Sequence, residues 1–254
     1  MTLPRTPSFR LDGRRALVTG GTRGIGLGAA VALAEAGAAV TIAARTAADV
    51  ETVVNDMARA GFAAEGVALD ITDFETVRAF VNDVDPFQVL VNSAGTARHC
   101  GFADITPANY QAVMDLNLSA TLFVSQAVVA KLIKAELPGS VIHVSSQMGH
   151  VGGPDRALYA ASKFAVEGLS KAMAIELGTH NIRVNTICPT FIETELTLRN
   201  LSDPAFHSWV LSKIKLGRLG RIEDIMGPIV FLASDAAALV TGTSLMVDGG
   251  WTAE

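Results

Sequence analysis

Two side chains one helical turn apart carry the first chemistry in this chain. Tyr159 and Lys163 lie in the stretch Ser146 to Lys163, which reads as a strand end, a Gly/Pro loop and the start of a helix. Residues i and i+4 share a helical face, so a lysine ammonium can sit under a tyrosine phenol. A phenol titrates near about 10, too high for proton exchange at neutral pH, and a nearby cation lowers that value by favouring phenolate. A tyrosine so placed becomes a usable general acid or base. Without further context the same pair is an ordinary tyrosine and a solvated lysine, so the rest of the chain must decide.

A pair of this kind needs a scaffold and a reaction partner. Arg15 to Thr19 is a short apolar run, followed by Gly20, Gly21, Thr22, Arg23, Gly24, Ile25 and Gly26 and an alanine-rich helical stretch to about Ala36. Gly37 ends that helix, and Val40 to Ala44 reads as a second strand. The order strand, glycine-rich turn, helix, strand is a βαβ unit. Its helix N-terminus offers free N–H groups and a positive dipole end to phosphate, and its glycines allow close backbone approach. Further strands are expected at Ala64 to Leu69, Phe87 to Val91, Val141 to Val144, Ile182 to Ile187 and Thr243 to Val247. Helices are expected from about Thr106, through Tyr159, and over Ile222 to Ser234.

Composition narrows the class. The 254 residues are half hydrophobic and sparsely charged, which suits sheet strands buried on both faces. A formal charge of −5 without a basic tract argues against nucleic acid as a partner. The start of the chain shows no apolar leader, and the run Leu116 to Ile133 is broken by Asn117, Ser119, Ser125, Gln126 and Lys131, so it reads as a buried helix and not a membrane span. Cys100 and Cys188 show no metal-ligand spacing and read as reduced thiols of a cytoplasmic protein. No His/Cys/carboxylate cluster for a metal is apparent in the sequence.

The spacing Gly20-x-x-x-Gly24-x-Gly26, with Thr19 before it, departs from G-x-G-x-x-G and resembles the glycine turn of short-chain dehydrogenases/reductases. The resemblance continues in order from Arg14 to Gly250, through Asn92-Ser93-Ala94-Gly95, Asn117, Ser146, Tyr159 and Lys163. It implies an α/β fold: a single Rossmann-type doubly wound domain over residues 1–254, with a seven-stranded parallel sheet in the order 3-2-1-4-5-6-7 and helices on both faces. Residues 1–13 read as a short, loosely held N-terminal arm, and 190–216 would be a substrate lid. Two departures stand out. Ser93 replaces a usual asparagine, and Thr190 follows Pro189 where the family has glycine.

The same resemblance assigns roles. Asn117, Ser146, Tyr159 and Lys163 form the catalytic set, Ser146 and not Ser145 being the serine at the family's distance from the tyrosine. Tyr159 would exchange a proton with the substrate oxygen, Ser146 would hydrogen-bond that oxygen, and Lys163 would lower the phenol pKa and hold the ribose. Asn117 would position a relay water. Cofactor contacts fall on Gly20, Thr22, Arg23, Gly24, Ile25 and Gly26, on Asp70 and Ile71 beside the adenine, and on Asn92, Ala94, Gly95, Tyr159, Lys163, Pro189, Ile192 and Thr194. An acid usually accepts the ribose 2′-hydroxyl at the end of the second strand. Here Ala44 cannot, and Arg45 can bind a 2′-phosphate, with Arg23 as a second charge. This chemistry favours NADP(H), with NAD(H) as the alternative.

The implied reaction moves a hydride between nicotinamide and a secondary alcohol or ketone, without a metal and without a membrane. Gln147, His150, Gly153, Thr190, Phe191 and Trp209 are expected at the substrate; His150 serves equally as a loop histidine, and Trp209 equally as a packing anchor. Gln147, His150, Arg98, His99 and Glu195 suit a small hydroxylated substrate such as a polyol, sugar acid or hydroxyketone. A 3-oxoacyl thioester or a cyclic ketone is the alternative within the class. A dinucleotide sensor without catalysis is the alternative outside it, and so is a sugar-nucleotide epimerase of the family's extended branch. The family's usual homotetramer or homodimer would bury two long apolar helices, at about 107–136 and 158–179.

Overall fold

The computed structural model describes residues 2–194, 197 and 201–253. Seven strands run parallel in the order β3-β2-β1-β4-β5-β6-β7, as the sequence reading expected. They are β1 (Arg15–Thr19), β2 (Ala39–Ala44), β3 (Ala64–Ala68), β4 (Val89–Asn92), β5 (Gly139–Val144), β6 (Ile182–Pro189) and β7 (Ser244–Val247). Register is continuous across the centre, with Thr19 opposite Asn92 and Asn92 opposite His143. Strand ends that carry chemistry therefore line up on one edge. The strand order reverses between β1 and β4, the crevice where open α/β sheets bind ligands.

The central strands are apolar because both faces are covered. On one face Val18, Val40, Ile42 and Val91 pack with helix α1 (Gly24–Glu35) and helix α8 (Ile222–Ala233). On the other, Leu17, Leu90, Val141 and Val184 pack with α3 (Phe74–Asp83), α5 (Ala120–Lys134) and α6 (Ala157–Leu177). Burial on both faces fails only at the sheet's edges: β3 is mostly exposed and β7 is half-buried. Helix α2 (Ala47–Arg59) covers β2 and β3 with Val50, Val53 and Met57. Helix α7 (Pro204–Lys213) lies in the expected lid and starts at an Asp203 cap with Pro204 in the first turn.

The N-terminal arm is less loose than its composition suggested. Leu11 is fully buried, its N–H donates to the Ala36 carbonyl, and the Phe9 and Phe231 rings lie 6.3 Å apart. Helix α4 (Pro107–Met114) runs on into α5 through a π-helical turn, Asp115–Ser119. The joined helix Pro107–Lys134 is long and apolar enough to cross a membrane. Its packing against α3, β4 and β5 accounts for that apolar character as a core helix.

Candidate active site

The glycine turn holds its shape through close backbone contacts. Gly20 has φ +67, and a side chain there would meet the Ala94 backbone at 2.9 Å. A Cβ on Gly26 would stand 2.2 Å from the Gly20 carbonyl oxygen, so α1 can start this close to β1 only as glycine. The first turn of α1 has no side-chain cap and no acidic residue. Its orphan N–H groups are thus open to an anion, which is what a dinucleotide pyrophosphate requires. Arg23, at the N-cap, and Arg45, just past β2, are both exposed.

Thr19 joins this turn to the next. Its Oγ1 accepts from the Ser93 and Ala94 amides at 3.2 and 3.4 Å. Ser93 meets this acceptor through its backbone amide, so the departure at that position leaves the turn intact. Asn92 is buried and donates to Ser125 Oγ at 2.9 Å. Asp70 is exposed, and its Oδ1 accepts from the amide and hydroxyl of Thr72, which hold the carboxyl below its usual range. The cap of α3 is Asp73, so Asp70 is not occupied in that role. Ile71 beside it is buried.

Beyond β6, Ile192 is buried and bridges to Gly220. Thr194 stands over the glycine turn, its methyl 3.4 Å from where a Gly24 Cβ would lie. Pro189 ends β6 beside Val247. Thr190 Oγ1 is buried and has no hydrogen-bond partner among the described residues. Glu195 lies outside the described residues.

The four catalytic candidates come from three elements, and the structure brings them together. Asn117 sits in the π-turn, Ser146 follows β5, and Tyr159 and Lys163 share α6. A Cβ on Gly95 would lie 3.3 Å from Asn117 Oδ1 and 3.9 Å from Lys163 Nζ, so β4's exit, the π-turn and α6 meet at one point. Asn117 is fully engaged: Oδ1 accepts from Thr96 N at 2.8 Å, and Nδ2 donates to Thr96 O at 2.9 Å and to Ser162 Oγ at 3.0 Å. Both amide hydrogens are used, so the expected water can meet the side chain only at the spare lone pair of Oδ1.

Lys163 is buried; its Nζ donates to the Val144 carbonyl at 2.9 Å and lies 5.6 Å from the Tyr159 ring centroid. Burial lowers the ammonium pKa to about 8, with Cys188 and Glu167 opposing. The phenol corrects the sequence reasoning. Its pKa moves up, not down, because burial outweighs hydrogen bonding to Ser146 and the charge of Arg156. Ser146 Oγ accepts from Met148 N and donates to Gln147 Oε1 at 2.8 Å. Gln147 is itself buried, so it aims the serine hydroxyl.

The expected substrate residues divide. Phe191 stacks on Trp251 with centroids 5.8 Å apart, and Trp209 lies 5.5 Å from Trp251. Both belong to an aromatic cluster with Phe206 that packs against Tyr159. Gly153 lies against Met148, which a Cβ would meet at 2.8 Å. His150 turns toward Glu167 and Cys188. His99, an exposed residue, lies edge-on to Tyr159 at 5.9 Å, and partial desolvation there, then Arg156, lower its pKa.

Two groups escaped the sequence reading. Arg156 lies over the Phe206 ring at 5.6 Å and acts electrostatically on both Tyr159 and His99. Its position one helical turn before Tyr159 was the available signal. Glu167 is buried one turn after Lys163 and holds bonds from Thr186 and Ser244. It joins His150 and Cys188 in a cluster of metal-ligand types that was not apparent in the sequence. The three come from a loop, a helix and a strand, so no spacing could reveal them. The Cys188 thiol pKa is pushed to about 12 by burial and by Glu167.

Comparison with known proteins gives the same picture. A family model described as enoyl-(acyl carrier protein) reductase matches residues 20–252. The chain is 42% identical to a D-erythrulose reductase of Gallus gallus over 96% of this chain and 98% of that one. It is 38% identical to an L-xylulose reductase of Bos taurus, over 96% of this chain and 99% of that one. A gluconate 5-dehydrogenase from Burkholderia cenocepacia J2315, solved with NADP and tartrate, superposes with a TM-score of 0.94. It is 38% identical and covers 97% of this chain and 98% of that one.

Proposed function

The chain belongs to the short-chain dehydrogenase/reductase family, and on that premise we propose that it is an NADP(H)-dependent oxidoreductase of small hydroxylated ketones and their alcohols. The observation that carries this reading is the meeting of Asn117, Ser146, Tyr159 and Lys163 beside an uncapped glycine turn. When bound, the dinucleotide supplies or accepts the hydride at its nicotinamide. The open α1 N-terminus with Gly20, Thr22, Gly24, Ile25 and Gly26 would hold its pyrophosphate. Asp70, Ile71, Asn92, Ala94 and Gly95 would flank the adenosine half, and Pro189, Ile192 and Thr194 the nicotinamide. Ala44 and Arg45 support the phosphorylated dinucleotide, and the structural relative solved with NADP agrees with that preference.

Tyr159 hands its proton to the substrate carbonyl oxygen, and Ser146 steadies the charge developing there. Burial favours the protonated phenol, the form that donates to a carbonyl oxygen. Lys163 holds positive charge under the ring and would bind the ribose hydroxyls. Asn117 fixes the Gly95–Thr96 turn against α6 and would offer only the spare lone pair of Oδ1 to a relay water.

The relatives named for ketoses and for gluconate support a sugar-derived substrate. Arg156 adds a cation beside the phenol that a sugar-acid carboxylate could meet. Residues 1–254 act in this reading as one dinucleotide-binding and catalytic domain, with the lid over 190–216. We place it in the cytoplasm, supported by the unpaired Cys100 and Cys188. A homotetramer or homodimer is supported by exposed Tyr110, Phe123 and Phe164 on α4, α5 and α6. The test is absorbance of NADPH and NADH against tetrulose and pentulose ketones, keto-aldonates and an acetoacetyl thioester. Turnover with the first two groups and NADPH supports the reading. Turnover confined to the thioester, or none with any ketone, refutes it.

A further inference from the structure

Behind the catalytic helix, three side chains of metal-ligand type point at one another. His150 comes from the loop after β5, Glu167 from α6 and Cys188 from β6. His150 Nε2 lies 3.5 Å from Glu167 Oε1 and 3.5 Å from Cys188 Sγ, and Sγ lies 3.3 Å from Oε1. Zinc holds sulfur at about 2.3 Å and nitrogen or oxygen at about 2.0–2.2 Å, so neighbouring donors of a tetrahedral site stand about 3.5 Å apart. The three atoms thus already form one face of such a tetrahedron.

The surroundings fit the same role. Glu167 Oε2 accepts from Thr186 Oγ1 at 3.0 Å and from Ser244 Oγ at 2.6 Å, which fixes the carboxylate with Oε1 toward the face. Glu167 and Cys188 are buried, while 27% of the His150 side chain is exposed and provides a way in. Thiolate, imidazole and carboxylate together select a borderline-soft ion over magnesium or calcium. Hydride transfer needs none of the three groups.

We propose that His150, Glu167 and Cys188 form a binding site for a divalent cation of the zinc type, with the fourth position left to water. On binding, the Sγ–H bond breaks and an Sγ–metal bond forms. The proton leaves to solvent and no group changes oxidation state.

Cobalt(II) is the probe, because thiolate ligation gives it a near-ultraviolet charge-transfer band. The full chain, stripped with chelator, is titrated with Co2+ and then challenged with Zn2+. One Co2+ per chain is expected, with the band present in wild type and in Cys100→Ser and lost in Cys188→Ser. Zn2+ should displace it, and His150→Gln should weaken Co2+ binding at least about tenfold. A wild-type chain without stoichiometric Co2+ binding overturns the site. So does a band that survives Cys188→Ser, or unchanged affinity in His150→Gln. The last variant alters a partly exposed side chain and keeps the test decisive if Cys188→Ser fails to fold.

Discussion

Acidification is expected to weaken this fold through one buried imidazole, His143. The ring lies in the sheet with Ser125 Oγ 3.2 Å from Nε2 and Ser170 Oγ 2.9 Å from Nδ1. It is 1% exposed, and burial lowers its pKa from 6.5 to about 4. Between those values the unfolded chain binds the extra proton. Stability is therefore full above about 6.5 and is lost as the pH falls toward about 4. The difference, 6.5 − 4, is about 2.5 pH units, or roughly 3 kcal/mol at about 1.4 kcal/mol per unit. His99 is lowered too, but it is exposed and solvent screening shrinks its share. His143→Gln keeps a donor and an acceptor and removes the titration. Urea unfolding of both proteins from pH 7 to about 4, at fixed concentration, isolates the term from the acidic residues. The wild type should lose roughly 3 kcal/mol more than the variant over that range. Parallel curves would refute the neutral, buried imidazole.

Three further outcomes concern the site. Tyr159→Phe should fold and bind NADPH yet lose about a thousandfold or more in kcat, read by ketone-dependent NADPH oxidation; wild-type turnover would end the assignment. Ala44→Asp puts an anion where a 2′-phosphate would lie, so the ratio of kcat/KM for NADPH over NADH should fall at least about tenfold. Gly26→Ala forces a Cβ to within 2.2 Å of the Gly20 carbonyl. NADPH affinity, followed by fluorescence titration, should drop at least about tenfold as the turn shifts.

Much of this architecture could be read from residues alone. Central strands announce themselves as apolar runs because helices cover both their faces, and the glycine turn shows because no side chain fits beside Gly20. Of the four catalytic candidates, the helical period alone pairs Tyr159 with Lys163, while Asn117 and Ser146 were marked by the family resemblance, Ser146 through its distance from Tyr159. The errors have a common origin. The phenol's pKa depends on burial, a property of the whole site that no i, i+4 argument contains. His150 stood open between substrate and an ordinary loop role because Glu167 and Cys188, far off in sequence, could not be seen to meet it. Leu11 seemed part of a loose arm because its partner carbonyl, Ala36, belongs to the end of another element.

The π-turn at Asp115–Ser119 has a consequence for how such a protein can be improved. A π-turn carries one residue more than the α-helical repeat needs and forgoes the tighter hydrogen-bond pattern. Deleting a residue there would let α4 and α5 close into one regular helix, a change any stability-driven redesign would reward. It would also rotate Asn117 about the helix axis, away from Thr96 and Ser162. The most regular version of this helix and the working version are different molecules, and selection for stability alone would steer toward the wrong one.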